Sequence, residues 1–151
     1  MARNDFVVTT EGQINVAANT TKTLLQIVTP TNIGVAVKGF SVTFDSSPGT
    51  VAPEVDLLIQ TTAGTMSSAT PQKEDQRISD SIQTTAQKTA TAEPTAGAVL
   101  RRYMTQPGGF EIRFSEDDEI RLAGATRLGL RIINPAGATA FNATAHISAE
   151  E

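Results

Sequence analysis

Residues Ile33-Gly34-Val35-Ala36-Val37-Lys38-Gly39-Phe40-Ser41-Val42-Thr43-Phe44 decide how this chain folds. Ile33, Val35 and Val37 recur at every second position, and so do Phe40, Val42 and Phe44, but the two sets are out of phase. Alternation at that period sends successive side chains to opposite faces of an extended strand. A surplus residue at Lys38-Gly39 restores the inward direction, as a β-bulge does, and a glycine at that point is its usual mark. The reading is one bent strand over 33–44, not two.

Working outward, the same alternation recurs along the chain. Ile14, Val16 and Ala18 share one phase, as do Thr23, Leu25 and Ile27; Val55, Leu57 and Ile59; Phe110, Ile112 and Phe114; Leu128, Leu130 and Ile132; and Phe141, Ala143, Ala145 and Ile147. Each set offers an apolar face to a core and a polar face to water or a partner, the habit of antiparallel sheets. Turn residues separate the runs at Glu11-Gly12, Thr29-Pro30-Thr31-Asn32, Ser47-Pro48-Gly49, Gln106-Pro107-Gly108-Gly109, Ala123-Gly124 and Asn134-Pro135-Ala136-Gly137. About eight such strands without a βαβ rhythm predict an all-β fold, an antiparallel β-sandwich of jelly-roll type. Residues 11–151 are expected to form this single domain, with 1–10 as an N-terminal arm or strand.

Residues 61–97 break the pattern, being rich in Thr, Ser, Ala and Gln with few large apolar side chains. Thr70-Pro71 followed by Gln72-Lys73-Glu74-Asp75 has the form of a helix start, but Thr84-Thr85 and Thr89 oppose continuation. The stronger expectation is a long irregular excursion of edge strands outside the sheet, ordered by contacts rather than by its own burial.

Composition narrows the function. The chain has 151 residues with 39% hydrophobic content, one domain's worth of an ordinary globular protein. It holds no cysteine, which excludes a disulfide scaffold, a Cys-ligated metal and a cysteine nucleophile. With one histidine, a Ser-His-Asp engine would have to run through His146, and a cupin-type metal site, which wants two or more histidines, is not furnished. A net charge of −4 argues against nucleic acid, whose phosphates need clustered Lys and Arg. No apolar stretch approaches the roughly 20 residues that span a bilayer, and the opening Met1–Asp5 lacks a basic segment leading into an apolar run, so neither a membrane partner nor a signal peptide is expected. The sequons Asn19-Thr20-Thr21 and Asn142-Ala143-Thr144 are then without consequence.

The candidate sites are modest. Ser115-Glu116-Asp117-Asp118-Glu119 could hold calcium, but its spacing is not that of an EF-hand, and a polar turn between strands is the expectation. His146 shares a polar phase with Asn142, Thr144 and Ser148, which suggests a surface or interface residue. Arg101-Arg102-Tyr103 could grip a phosphate or a glycan, though ion pairing of a strand face with a neighbour is the preferred account. Phe6-Val7-Val8 is apolar enough to add as a strand to the open edge of a neighbouring sheet, a weak candidate for partner binding.

Thr20–Val28 leading into Asn32–Asp45, the corner Ala92-Glu93-Pro94-Thr95-Ala96-Gly97, the stretch Gln106–Ile112 leading to Arg127–Arg131 and the closing Ile147–Glu151 give the chain its likeness to a family. It resembles the small jelly-roll decoration or cement proteins, virion structural proteins of tailed bacteriophages. The resemblance implies a homotrimer on a symmetry axis of the capsid surface, made in the host cytoplasm, binding the major capsid protein, without cofactor, metal or catalysis. The alternative is a phage tail or fibre module that binds a host surface glycan.

Overall fold

The computed structural model describes residues 3–45, 49, 51–105 and 108–151, and among them there are thirteen β-strands and no helix. They are β1 (Asp5–Thr9), β2 (Ile14–Val16), β3 (Thr20–Val28), β4 (Val35–Phe44), β5 (Glu54–Gln60), β6 (Thr65–Ala69), β7 (Gln72–Lys73), β8 (Thr85–Ala92), β9 (Ala96–Met104), β10 (Gly109–Arg113), β11 (Ile120–Leu122), β12 (Arg127–Asn134) and β13 (Phe141–Glu150). Every pairing is antiparallel. One sheet of seven strands runs β10-β4-β13-β1-β7, with β11 also on β4 and β2 also on β13; the other, of six, runs β6-β8-β3-β12-β5-β9.

The jelly roll emerges when collinear pieces are joined. β1 and β2 lie end to end along β13, facing 146–150 and 141–143, and β10 and β11 lie end to end along β4, facing 39–43 and 35–37. With these merged, the order is β1/β2, β13, β4, β10/β11 over β3, β12, β5, β9, which is the interleaving of two Greek keys. The expected all-β sandwich of about eight long strands is what forms.

β4 carries the bulge that its sequence announces. Opposite β13, Ser148 pairs with Gly39 and Ala149 with Val37, leaving Lys38 as the surplus residue. Val35 and Val37 before it, and Phe40, Val42 and Phe44 after it, are all buried. Gly39 is required for a second reason: a Cβ there would stand 2.5 Å from the Ile112 carbonyl oxygen on β10. Phe40, turned inward by the bulge, packs on Tyr103 and Phe110 at ring separations of 5.5 and 5.7 Å. Against it from the other sheet lie Leu25, Ile27, Val55, Leu57, Leu128, Leu130 and Ile132, in one continuous core.

One expectation needs correction, the addition of Phe6-Val7-Val8 to a neighbouring sheet. Of the N-terminal arm or strand expected at 1–10, Asp5–Thr9 form a strand of the domain, β1. Phe6 and Val8 are fully buried in its core, and β1 is hydrogen-bonded to β13 on one side and to β7 on the other. Of the three residues considered for strand addition to a neighbour, only Val7 faces outward; the backbone of β1 is already paired within the chain.

The excursion of edge strands expected at 61–97 contains β6, β7 and β8. β8 pairs with β3 over Leu25–Val28 and carries β6 on its far side, so the two extend the six-stranded sheet, while β7 extends the other sheet beside β1. Pro71 leads into β7 and not into a helix. Topologically this segment interrupts a hairpin: Gln60 at the end of β5 lies directly across from Ala96 at the start of β9, and Thr61 N–H donates to the Thr95 carbonyl at 2.9 Å.

Replacing 62–94 with Asn-Gly, the pair suited to a two-residue hairpin turn, is expected to leave a soluble β protein with cooperative unfolding and a lowered Tm, read by circular dichroism. Gly39→Ala is expected to cost about 2 kcal/mol or more in urea unfolding, since the backbone of β10 has to move to admit the methyl group.

Candidate functional site

The outer face of the seven-stranded sheet is built from the polar phases of β13 and β4. Asn142, Thr144, His146 and Ser148 alternate with the buried Phe141, Ala143, Ala145 and Ile147, and register places His146 opposite Ser41 and Thr144 opposite Thr43. Both pairs close into hydrogen bonds: Ser41 Oγ lies 2.6 Å from His146 Nδ1, and the Thr43 and Thr144 hydroxyls are 2.6 Å apart. The row through His146 continues to Thr9 on β1 and, through Ser41, to Glu111 on β10. At one end of this face Asn142 donates its N–H and its side-chain amide to the carboxylate of Asp45, at 2.9 and 2.7 Å.

A serine hydroxyl against an imidazole has the form of a nucleophile–base pair, whose base a third group then orients. Here the hydroxyl belongs to a nearly buried strand residue, and among the described residues no carboxylate is hydrogen-bonded to the ring. The arrangement ties two strands together through their side chains. His146 sits between two shallow depressions, one of about 270 Å³ shared with Lys38, Glu74, Glu111, Glu119 and Ser148, the other open toward Thr9 and Gly108.

Near the chain ends, Lys38 is the charged centre. The bulge directs its amine to Asp5 and Glu150, each at 2.6 Å, and Arg3 meets Glu150 at 2.9 Å. Burial favours the neutral amine, but the hydrogen bonds to Asp5 and Glu150 outweigh it and hold Lys38 above the ordinary lysine value. The acidic turn borders the same region. Asp118 N–H donates to the Ser115 carbonyl and Ser115 Oγ to the Asp118 carboxylate, both at 2.9 Å, which makes the polar turn expected between β10 and β11. Among the described residues no three His, Asp or Glu side chains converge in a way that could hold a metal ion.

The stretch Arg101-Arg102-Tyr103 is dispersed by its strand. Tyr103 turns inward to Phe40 and Phe110, whereas Arg102 turns outward. Arg102 grips Asp56 with two bonds of 2.7 and 3.0 Å, and Arg131 reaches the same carboxylate at 2.7 Å. Ion pairing of Arg102 is therefore satisfied within the chain, while Arg101 is exposed and among the described residues reaches only the Leu100 carbonyl, so the three residues do not form one combined grip on a phosphate or glycan. Burial of Asp56 opposes its charge, but the hydrogen bonds from Arg102 and Arg131 prevail and hold its carboxyl below the usual carboxylate range.

A polar network outside the six-stranded sheet is the group that pattern reading missed. Residues 61–64 and 93–95 pass over this sheet on their way to and from β6 and β8. Gln26 donates to Gln60 at 2.7 Å and to the Thr62 carbonyl at 3.1 Å, Gln60 donates to Thr23 Oγ at 3.0 Å, and Thr23 donates from its hydroxyl to Glu93 at 2.6 Å. Thr23, Gln26 and Gln60 are nearly or wholly buried. Gly129 on the intervening β12 makes room for them, since a Cβ there would fall 2.4 Å from the Gln60 side chain. Two glutamines in the polar phase of neighbouring hydrophobic strands are the only trace of this network in the sequence.

No family model, curated protein or solved structure matches the chain. Its functional reading therefore stands on the residues described above.

Asp56→Asn is expected to destabilise the fold by about 3 kcal/mol in denaturant unfolding, because Arg131 loses its charge partner in a largely buried setting. In the unaltered chain the contribution of Asp56 is complete above the ordinary carboxylate pKa of about 4 and declines as pH falls through its lower folded value. The N variant is expected to lack that part of the acid-unfolding profile.

Proposed function

We propose that this chain is a non-enzymatic virion structural protein, a capsid decoration or cement protein of a tailed bacteriophage. It docks as a homotrimer on the outer surface of the head and reinforces contacts among major capsid subunits. The observation that carries the reading is the outer face of the seven-stranded sheet, a polar array in which Ser41 with His146 and Thr43 with Thr144 are joined in cross-strand pairs beside Asn142 and Ser148. Such a face loses little side-chain entropy on contact and offers donors and acceptors to a wet protein interface. The jelly-roll strand order agrees with the sequence resemblance. The alternative of a glycan-binding tail or fibre module loses its main support with the separation of Tyr103 from Arg102 across β9.

Native mass spectrometry of the purified chain is expected to give three times its 15.9 kDa mass, and the protein is expected to sediment with undecorated head shells of its phage. Thr144→Arg, which places a long cation in the middle of the polar face, is expected to abolish co-sedimentation while leaving the circular dichroism spectrum intact. A monomer that stays in the supernatant with intact shells would overturn the proposal.

A further inference from the structure

We propose that residues 62–94 form a latched flap that opens from the jelly roll as a unit while the sandwich stays folded. The idea is independent of the decoration reading and rests on four observations.

First, the flap is an insertion into a hairpin whose two ends already face each other at Gln60 and Ala96, so its departure leaves both strands of that hairpin paired. Second, its purchase on the core is slight. Its buried hydrophobic side chains are Ala69, Ala86 and Ala90, with Ile82 half-buried against the core, whereas the strands beneath it bury leucine, isoleucine and valine. Segments with little buried apolar area are those that open below the global unfolding threshold.

Third, beyond the backbone ladders of β8 on β3 and of β7 on β1, the side-chain fastening is done by carboxylates at a few points. Glu93, from the flap, accepts from Thr23 of β3 through both backbone N–H and hydroxyl, at 3.0 and 2.6 Å. Glu151, from the sandwich, accepts from Gln83 N–H at 2.6 Å and from Thr84 through N–H and hydroxyl at 2.8 and 2.6 Å. Glu11 accepts from Thr70 N–H at 3.2 Å and pairs with Lys88. Charge-assisted bonds of this kind are strong but local, and each can be lost without disturbing the core. Fourth, the flap carries strain. Thr89 in the middle of β8 has a φ of 55°, at the point where the β6–β8 register slips, and a β-branched residue in that region is strained. Opening would expose the edge of β3 over Leu25–Val28 and uncover the Gln26 and Thr23 side chains that bond Thr62 and Glu93.

Hydrogen–deuterium exchange of the full chain, read by mass spectrometry, tests this. β8 is flanked by β6 and β3, so an integral sheet would protect it as it protects β12. The expected result is that amides of 65–69 and 85–92 exchange together, roughly 100-fold faster than those of β12 and β13. Glu93→Gln and Glu151→Gln are each expected to quicken flap exchange about tenfold and leave β12 and β13 unchanged, and Thr89→Gly to slow it. Equal protection of β8 and β12 in the unaltered chain would overturn the proposal whatever the variants do, and so would Gln variants that quicken the flap and the core alike.

Discussion

The architecture depends on a single reset of phase. β4 is the strand against which β13, β10 and β11 are all registered, and it runs the length of the core. Without the surplus Lys38, either Val35 and Val37 or Phe40, Val42 and Phe44 would point to solvent, because a slip of one residue inverts every side chain beyond it. The bulge places both sets inside. It also turns the Lys38 amine toward Asp5 and Glu150, so the irregularity that secures the core organises the charges near the chain ends. Gly39 completes it by admitting the β10 backbone.

The second constraint is the insertion between β5 and β9. To reach the far side of its sheet the chain crosses outside β12 twice. Gln26 holds the Thr62 carbonyl of one crossing, and Gln26, Gln60, Thr23 and Glu93 of the other are joined side chain to side chain over the gap left by Gly129. The result is a polar layer where a sandwich would ordinarily meet solvent. Stability there comes from directed bonds to a few acceptors, in contrast to the diffuse packing between the sheets. The two faces of the molecule thus differ in kind: one is a regular polar array, the other carries an inserted segment joined to it by a polar network.

That difference bears on function. A surface made of paired Ser, Thr, Asn and His side chains is suited to contact with another protein, and its hydrogen bonds fix their orientation in advance of contact. His146, the candidate base, ties two strands, and the acidic turn, the candidate calcium loop, is shaped by its Ser115–Asp118 bonds. Arg102, the cation of the suspected grip, is engaged with Asp56. These engagements explain why residue types alone suggested chemistry that their neighbours absorb.

The sequence by itself determined the secondary structure of the sandwich and the position of its bulge. Both follow from alternation along a strand, a property of neighbours a few positions apart. The inward faces of β4, β5, β10, β12 and β13 were legible for the same reason, as was the polar turn at 115–119. Only the tertiary structure decided that Phe6 and Val8 serve their own core, that Tyr103 and Arg102 part company, and which strands the edge strands of 61–97 pair with. The partners of those residues lie tens of positions away: β13 for β1, Asp56 for Arg102, β3 for β8. The small side chains of β8 carry little periodic signal, so the edge of β3 supplies the order that their own burial does not. Gln26 and Gln60 read as ordinary solvent-facing residues until the chain is seen to cross above them, since local pattern cannot reveal what covers a strand from outside.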